Sequence, residues 1–237
     1  MTYKLSYKHI SPNILEICWP QEISKDILLQ MMTYKKKIIS IWYEELWDAH
    51  LGYHCLSLNF KEPFSLDEVI GQIEEFSQEK ETHSILHRKR WQIPVLYQGK
   101  DLSRVAKITK LSVNNIIEEH QKPSYLLHFF GFMPGFMYLG GLSEKLYAPR
   151  KDQPDPKIQK GSVAIGGQQT GIYPMDSPGG WNIIGLTPLQ VFNLKEQPPI
   201  SAQPGDEIKF YSIDKKEFEA ISRSIINQNY TLEYETI

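Results

Sequence analysis

The fold of this chain is decided by the stretch Gly161-Ser162-Val163-Ala164-Ile165-Gly166-Gly167-Gln168-Gln169-Thr170-Gly171-Ile172-Tyr173-Pro174 and by Ser177-Pro178-Gly179-Gly180-Trp181 soon after it. Eleven of the fifteen glycines lie between Gly131 and Gly185, whereas the first ninety residues hold only Gly52 and Gly71. Glycine costs backbone entropy, so this concentration indicates tight turns or close approach of another group to the backbone. Because the chain changes character along its length, we predict two domains, residues 1–90 and residues 91–237.

Residues 91–237 carry the pattern of a mostly-β domain. A strand at 93–97 opens it, and two short helices follow, with Asp101 and Ser112 as predicted N-caps. Beyond Tyr125 the helical period is lost until a last helix at 215–226. Short apolar runs separated by glycine and proline indicate strands, and their spacing predicts a barrel or sandwich. These runs are 125–129, 162–165, 181–184, 189–194 and 207–212.

Residues 1–90 alternate strand and helix signals. Ser24 is predicted to cap a helix that runs to about Ile38. A second helix is predicted at 66–76, and strands at 3–9, 14–19, 39–47, 53–60 and 84–87. This order predicts an α+β domain with helices on one face of an antiparallel sheet. The basic run 87–90 is interpreted as a solvated connector rather than a phosphate site.

Composition and charge exclude several classes of protein. The 237 residues are 41% hydrophobic and 23% charged, which is typical of globular domains. A net charge of −2 gives no general attraction to nucleic acid or to an anionic membrane. The apolar runs are too short for a membrane span or a signal peptide, so we expect a cytoplasmic protein. Cys18 and Cys55 permit a single bridge, but two buried free thiols are favoured.

The usual catalytic signatures are missing from the sequence. Ser162 lacks the second glycine of a nucleophile elbow, and no Lys-Ser or Lys-Thr follows the glycine pairs, which excludes a P-loop. His50 and His54 have the spacing of metal ligands on a helix, but Gly52 and the strand pattern argue against a helix there, so no metal site is expected. His128 is either a proton carrier in the motif segment or a structural histidine.

The glycine-rich segment holds the best binding candidates. The amide and hydroxyl groups of Gln168, Gln169 and Thr170 can orient a lactam or a carboxylate, or else they close a turn. Arg150 can pair with a substrate carboxylate, with an acidic group of a partner, or within the fold. The aromatic stretch is too apolar to be wholly exposed, so part is core and part meets another chain; it consists of Phe129, Phe130, Phe132 and Phe136. Tyr173 and Trp181 either present a ring face and a polar tip to a ligand or belong to the barrel core. We expect an interface for substrate or partner at His128, Phe132, Pro134, Phe136, Arg150, Gln168, Gln169, Thr170, Tyr173 and Trp181.

These motifs resemble the carboxyltransferase subdomain C family, also called allophanate hydrolase subunit 1. The resemblance covers nearly the whole chain and is most specific at 128–188. It implies an N-terminal α+β domain followed by a mostly-β cyclophilin-like barrel, without prolyl isomerase activity. It also implies a carboxyltransferase subdomain D partner. In the family's ATP-dependent 5-oxoprolinase these two join a third subunit to open 5-oxoproline to glutamate. ATP is then used by the assembled complex, and no cofactor is bound tightly by this chain.

The sequence departs from the family pattern at two sites. Asp155 stands where relatives often have an arginine, and Leu186 interrupts a later Ile-Gly-Arg-Thr-Pro motif. Asp155 beside Lys157 makes a poorer anion site than an arginine fork. Two hypotheses follow from the resemblance. The first is the B subunit of a 5-oxoprolinase, and the second is a regulatory inhibitor that binds a sensor histidine kinase.

Overall fold

A computed structural model describes residues 3–78 and 88–237 of the chain. The chain divides into two compact units, residues 1–86 and residues 87–237. Helices and mixed sheets occur together, which confirms the α+β fold class. Lys89 and Arg90, which the sequence analysis assigned to the first domain, lie in a strand of the second unit.

The first unit is an antiparallel sheet with two helices. Its strands follow the spatial order β1-β2-β4-β3. Ser24 caps α1 as predicted, because its hydroxyl accepts a hydrogen bond from the Ile27 backbone. Tyr34 of α1 meets Phe76 of α2 edge to face, so the two helices are in contact. The elements are β1 (Ser6–Ser11), β2 (Ile14–Cys18), α1 (Lys25–Ile41), β3 (Leu46–Leu51), β4 (Cys55–Phe60) and α2 (Leu66–Gln78).

The predicted strand at 39–47 is wrong. Helix α1 continues to Ile41, and the strand begins only at Leu46. The β-branched isoleucines at 38, 39 and 41 suggested a strand, but Ile38 extends the buried helical face formed by Ile27, Met31 and Tyr34. Tertiary packing therefore overrides local propensity at this point. The predicted strand at 84–87 lies outside the described residues.

The second unit is built on an eight-stranded sheet with three helices. The sheet order is β12-β9-β10-β7-β6-β13-β5-β14, and β8 and β11 form a separate two-stranded antiparallel sheet. The helices are α3 (Leu102–Thr109), α4 (Val113–Gln121) and α5 (Lys215–Ile226). The strands are β5 (Lys89–Val95), β6 (Tyr125–Phe130), β7 (Met137–Gly140), β8 (Asp155–Ile158), β9 (Ser162–Gly166), β10 (Gln169–Ile172), β11 (Ser177–Gly179), β12 (Asn182–Leu186), β13 (Glu207–Ser212) and β14 (Tyr234–Thr236).

The large sheet closes on itself. Leu96, directly after β5, exchanges two backbone hydrogen bonds with Leu186 at the end of β12, at 2.9 and 3.0 Å. The first strand in the spatial order therefore meets the seventh, which removes most of the open sheet edge. Inside the closed sheet lies the main apolar core, to which α3 and α4 contribute Leu102, Val105 and Ile116.

Three sequence predictions fail in the second unit. Residues 189–194 form no strand, because the loop uses its hydrogen bonds internally, as from the Asn193 amide to Pro199. Asp101 does not cap α3 with its side chain, whereas Ser112 does cap α4 through the Asn115 amide. The basic run at 87–90 is no solvated connector where it is described, since Arg90 lies in β5 and pairs with Glu207 and Glu235.

A buried aspartate ties the start of β5 to the turn before β13. Asp206 is 1% exposed, and its carboxylate accepts three hydrogen bonds. The donors are the Lys89 amide at 2.9 Å, the Trp91 indole at 2.9 Å and the Gln203 amide at 3.0 Å. A buried carboxylate is tolerated because its lone pairs are satisfied in this way.

Removal of this carboxylate will destabilise the second unit. In Asp206→Ala the buried Trp91 indole and the partly buried Lys89 and Gln203 amides lose their acceptor, and we expect the free energy of unfolding to fall by about 3 kcal/mol. The measurement is urea unfolding followed by tryptophan fluorescence. Asp152→Ala, at an exposed aspartate, is the control and should change stability by less than about 0.5 kcal/mol. Equal stability of the two variants would contradict the role given to Asp206.

Candidate functional site

The glycine-rich motif makes room for one tryptophan on the outer face of the closed sheet. A Cβ atom added to Gly166 would lie 2.5 Å from the indole of Trp181. A Cβ atom added to Gly171 would lie 2.8 Å from the Met137 carbonyl and 3.2 Å from the same indole. Glycine is therefore required at both positions because the indole lies directly against the backbones of β9 and β10.

Trp181 nucleates a second apolar cluster outside the main core. Phe136 meets Trp181 and Tyr173 edge to face, with ring centroids 5.2 Å apart in both pairs. The three rings are at most 5% exposed. They are therefore packing residues whose large apolar area holds the motif on the sheet, which favours the core interpretation of Tyr173 and Trp181. Burial raises the pKa of Tyr173 to about 12, so its hydroxyl stays protonated at neutral pH.

The outer side of this cluster carries an exposed cation among aromatic rings. Arg150 is exposed, and its guanidinium lies 5.6 Å from the centroid of the Trp181 ring. Tyr138 stacks on Phe129 with centroids 4.6 Å apart. Tyr138 also meets Trp181 edge to face, with ring centroids 6.1 Å apart. Burial raises the pKa of Tyr138, and the charge of Arg150 opposes that shift. We name Phe129, Tyr138, Arg150, Gln169 and Trp181 the arginine patch.

Gln169 belongs to the patch by its register. It lies opposite Gly166 in the β9–β10 pair, and cross-strand partners point to the same face, which is the face covered by Trp181. Its Oε1 atom is buried and accepts no hydrogen bond within the described part of the chain. Buried polar atoms usually have a partner, so this oxygen is a candidate hydrogen-bond acceptor of the patch.

Other predicted residues lie beside the patch or apart from it. Phe132 is 62% exposed with a φ of +61°, and with the exposed Pro134 it forms the tip of the β6–β7 turn. The ring of Phe132 meets Phe136 edge to face at 5.7 Å, so this tip is attached to the aromatic cluster. Gln168 is exposed in the β9–β10 turn, next to Gly167 at a φ of +66°.

Thr170 does not line an interface. It follows Gln169 in β10, so its side chain points to the opposite face of the strand, into the main core. There its hydroxyl donates to the Ala164 carbonyl at 3.0 Å and lies 2.8 Å from Nε2 of His120. Because the Thr170 hydroxyl donates its proton to the Ala164 carbonyl, it accepts a hydrogen bond from Nε2–H of His120. Nδ1 of the same imidazole then carries no proton and accepts from the Tyr97 hydroxyl at 2.8 Å.

Both buried histidines are neutral at physiological pH. His120 is wholly buried, and burial lowers its pKa to about 3. His128 is 2% exposed at an irregular position of the β6–β7 pair, and burial lowers its pKa to about 4. A proton carrier needs a pKa near the working pH, so His128 is poorly matched to that role and the structural interpretation is favoured.

An ion-pair network, which the sequence analysis missed, adjoins Arg150. The Lys151 ammonium lies 2.7 Å from Asp101 and 2.6 Å from Asp155, and Lys100 lies 2.9 Å from Asp155. Asp101 also accepts from the Ile183 amide at 2.8 Å. The expected neighbour of Asp155, Lys157, pairs with Asp176 instead at 3.3 Å. The only indication of this network in the sequence was the i,i+4 spacing of Lys151 and Asp155.

The ammonium groups of this network are paired with carboxylates, so they are not available to bind an anion. Hydrogen bonds from Lys151 lower the pKa of Asp155, burial opposes that shift, and Lys100 lowers the pKa further. Burial lowers the pKa of Lys151, but its bonds to Asp101 and Asp155 outweigh burial and leave the pKa raised. The network therefore joins β8 to the start of α3 and holds the segment that carries Arg150.

Metal and membrane signals are missing from the described residues. Within 3–78 and 88–237, no group of three or more histidine, cysteine or acidic side chains is placed to hold a metal ion. Over the same described ranges, no helix combines the length and apolar character needed to cross a membrane.

The buried histidines predict how stability depends on pH. Unfolded imidazoles bind protons near pH 6.5, whereas His120 and His128 stay neutral in the fold down to about 3 and about 4. Stability is therefore complete above pH 6.5 and falls as the pH drops toward 4. Between pH 7 and pH 5 we expect a loss of about 2 kcal/mol for each imidazole, measured by urea unfolding. His128→Gln should show a smaller loss over this range, and an unchanged loss would contradict the assignment.

Comparison with known proteins places the chain in a family. It is 41% identical over 177 residues to the B subunit of the 5-oxoprolinase of Bacillus subtilis, covering 73% of each protein. It is 47% identical over 122 residues to the B subunit of the 5-oxoprolinase of Haemophilus influenzae, covering 50% of this chain and 57% of that one.

A solved structure shares the fold. The urea carboxylase of Kluyveromyces lactis superposes with a TM-score of 0.82 at 14% identity, over 99% of this chain and 24% of that one. Identity this low shows similarity of fold alone. The family model described as carboxyltransferase domain, subdomain C and D, matches residues 5–202, which is most of the sequence. The chain therefore belongs to the carboxyltransferase domain family of subdomains C and D.

Proposed function

We propose that this chain is the B subunit of a multi-subunit, ATP-dependent 5-oxoprolinase, which opens 5-oxoproline to L-glutamate. The observation that carries the proposal is the 41% identity over 73% of the chain to a protein of that name. Two further relatives of the same name, at 47% and 45% identity, support it. The regulatory alternative, inhibition of a sensor histidine kinase, is not favoured, because these relatives carry the name of an enzyme subunit.

The arginine patch supplies groups that suit a lactam with a carboxylate. Arg150 presents an exposed guanidinium, which can bind a carboxylate with two parallel hydrogen bonds. The buried Oε1 of Gln169 can accept from a lactam N–H. The Trp181 ring lies beside the cation and Tyr138 meets Trp181 edge to face, so these aromatic groups can adjoin the apolar ring carbons. In this proposal Arg150 and Gln169 bind and orient the substrate, and the chain itself does not break the amide bond.

Opening of the lactam needs activation by the assembled complex. Amide resonance stabilises the bond, and ATP supplies activation by phosphorylating an oxygen of the substrate. We propose that a carboxyltransferase subdomain D protein and a third component provide that chemistry, with the substrate at the interface beside the arginine patch. We also propose that the second unit is a cyclophilin-like barrel, consistent with its closed sheet, and that the complex works in the cytoplasm.

The proposed role in the complex predicts a loss of turnover when this chain is omitted. The partner subunits are expressed with and without it in a host that lacks its own oxoprolinase, and glutamate release from 5-oxoproline is measured together with ADP. We expect turnover with the chain and none without it. Turnover that is unchanged by its omission sinks the proposal, and a kinase pull-down then becomes the appropriate experiment.

The patch predicts a specific kinetic effect at Arg150. In the reconstituted complex, Arg150→Ala should raise KM for 5-oxoproline about 10- to 100-fold, the usual worth of one charge-assisted contact. Because Arg150 is exposed, the stability of the chain should change little. Lys160→Ala, at another exposed cation, is the control and should leave KM unchanged. If Arg150→Ala weakens assembly of the complex while KM stays constant, the residue contacts a partner protein rather than the substrate.

A further inference from the structure

The only two cysteines of the sequence lie opposite each other in the sheet of the first unit. Strands β2 and β4 pair antiparallel from Ile14 and Asn59 to Cys18 and Cys55 without a bulge, so Cys18 and Cys55 are direct cross-strand partners. Both are free thiols in the structure. The sequence leaves open whether they approach each other, and the pairing of β2 with β4 is what brings them together.

The hydrogen-bond pattern identifies the kind of pair they form. The Trp19 amide donates to the His54 carbonyl at 2.8 Å, and the Phe60 amide donates to the Asn13 carbonyl at 2.8 Å. Both bonds join residues that lie directly opposite each other in the strand register that also pairs the two cysteines. Along an antiparallel ladder, hydrogen-bonded pairs alternate with non-hydrogen-bonded pairs. The cysteine pair directly adjoins the bonded pair of Trp19 and His54. The cysteines are therefore a non-hydrogen-bonded pair.

Non-hydrogen-bonded pairs have the separation that a disulfide needs. Their Cα atoms lie about 4.5 Å apart and their side chains leave the sheet on the same face. Disulfides span Cα separations of about 4.4–6.8 Å. The backbone is therefore already placed for a bond between Cys18 and Cys55 without movement of either strand.

The surroundings of the thiols allow one rotation to complete the geometry. The Gly52 amide donates to the Cys55 carbonyl at 2.7 Å, and a Cβ atom at Gly52 would lie 2.9 Å from Sγ of Cys55. The thiol of Cys55 thus lies over Gly52, and rotation about its Cα–Cβ bond carries it toward Cys18. Cys18 is 6% exposed, whereas Cys55 is more accessible.

We propose that Cys18 and Cys55 form a reversible oxidation site that exchanges with small-molecule disulfides of the glutathione class. The Cys55 thiolate attacks the reagent and forms a mixed disulfide, which releases one small thiol. The Cys18 thiolate then attacks the sulfur of Cys55 and releases the second small thiol. In total the protein loses two protons and two electrons, and one small disulfide is reduced to two thiols. The bond joins the two central strands of the sheet.

Charges near the pair set the conditions for testing it. Burial raises the pKa of both thiols, Glu16 raises both further, and Lys8 lowers both. The thiolate is the reactive form, so exchange is slow at neutral pH and is best measured under mildly alkaline conditions.

The test counts thiols in the purified full chain. The protein is incubated with an excess of oxidised glutathione, denatured and alkylated, and its intact mass is measured. We expect the two alkylatable thiols to fall to none, with a mass equal to the chain less two hydrogens and without bound glutathione. Dithiothreitol should restore both thiols. The oxidised chain should also unfold at a higher urea concentration than the reduced chain, because the bond restricts the unfolded state.

Cys18→Ser and Cys55→Ser are the matched controls. Each retains one thiol, so neither should show the shift in the urea midpoint after oxidation. Three results on the wild-type chain would overturn the proposal: two thiols that remain alkylatable, glutathione that stays bound to Cys55, or a covalent dimer of chains. These outcomes are independent of the proposed enzyme function, because they need no partner protein and no substrate.

Discussion

The contact between the Trp181 indole and the bare backbones of Gly166 and Gly171 is the constraint on which the candidate site depends. Any side chain at either glycine would occupy the space of the ring or of its neighbours. With the indole in place, Phe136 and Tyr173 pack around it edge to face. The result is an apolar cluster on the outer face of a sheet whose inner face already covers the main core.

Several polar groups of this unit are satisfied within the fold, whereas the exposed Arg150 and the buried Oε1 of Gln169 are left available. Asp206 and His120 each use their hydrogen-bonding atoms within the fold. Lys151 is held between two carboxylates. Arg150, one residue earlier, is exposed over Trp181. This division explains why Arg150 is a better candidate for binding than the more numerous charges beside it, since their electrostatic energy is already used in the fold.

Sequence patterns predicted those features that depend on neighbours along the chain. Ser24 and Ser112 cap helices as expected, because capping involves residues three apart. The family was evident from the glycine-rich motif, and the comparisons confirm it. Predictions of secondary structure from local patterns were wrong where packing or hydrogen bonds to other residues determined the conformation. Apolar residues at 39–41 and 189–194 resembled strands, yet one set extends a helix and the other lies in a loop with its own hydrogen bonds.

The glycine-rich motif and the spacing of the apolar runs specify the family, the fold class and the segment in which the candidate site lies. Which residues of that segment face outward depends on strand register and packing, which the folded chain alone reveals. Gln169 and Thr170 are adjacent and chemically similar, but alternation along β10 sends one toward Trp181 and the other toward His120. Tertiary folding also determines which lysines pair with Asp155 and that Cys18 lies opposite Cys55. The physical reason is that charge pairing and strand register are set by distances in space, and separation along the chain does not encode them.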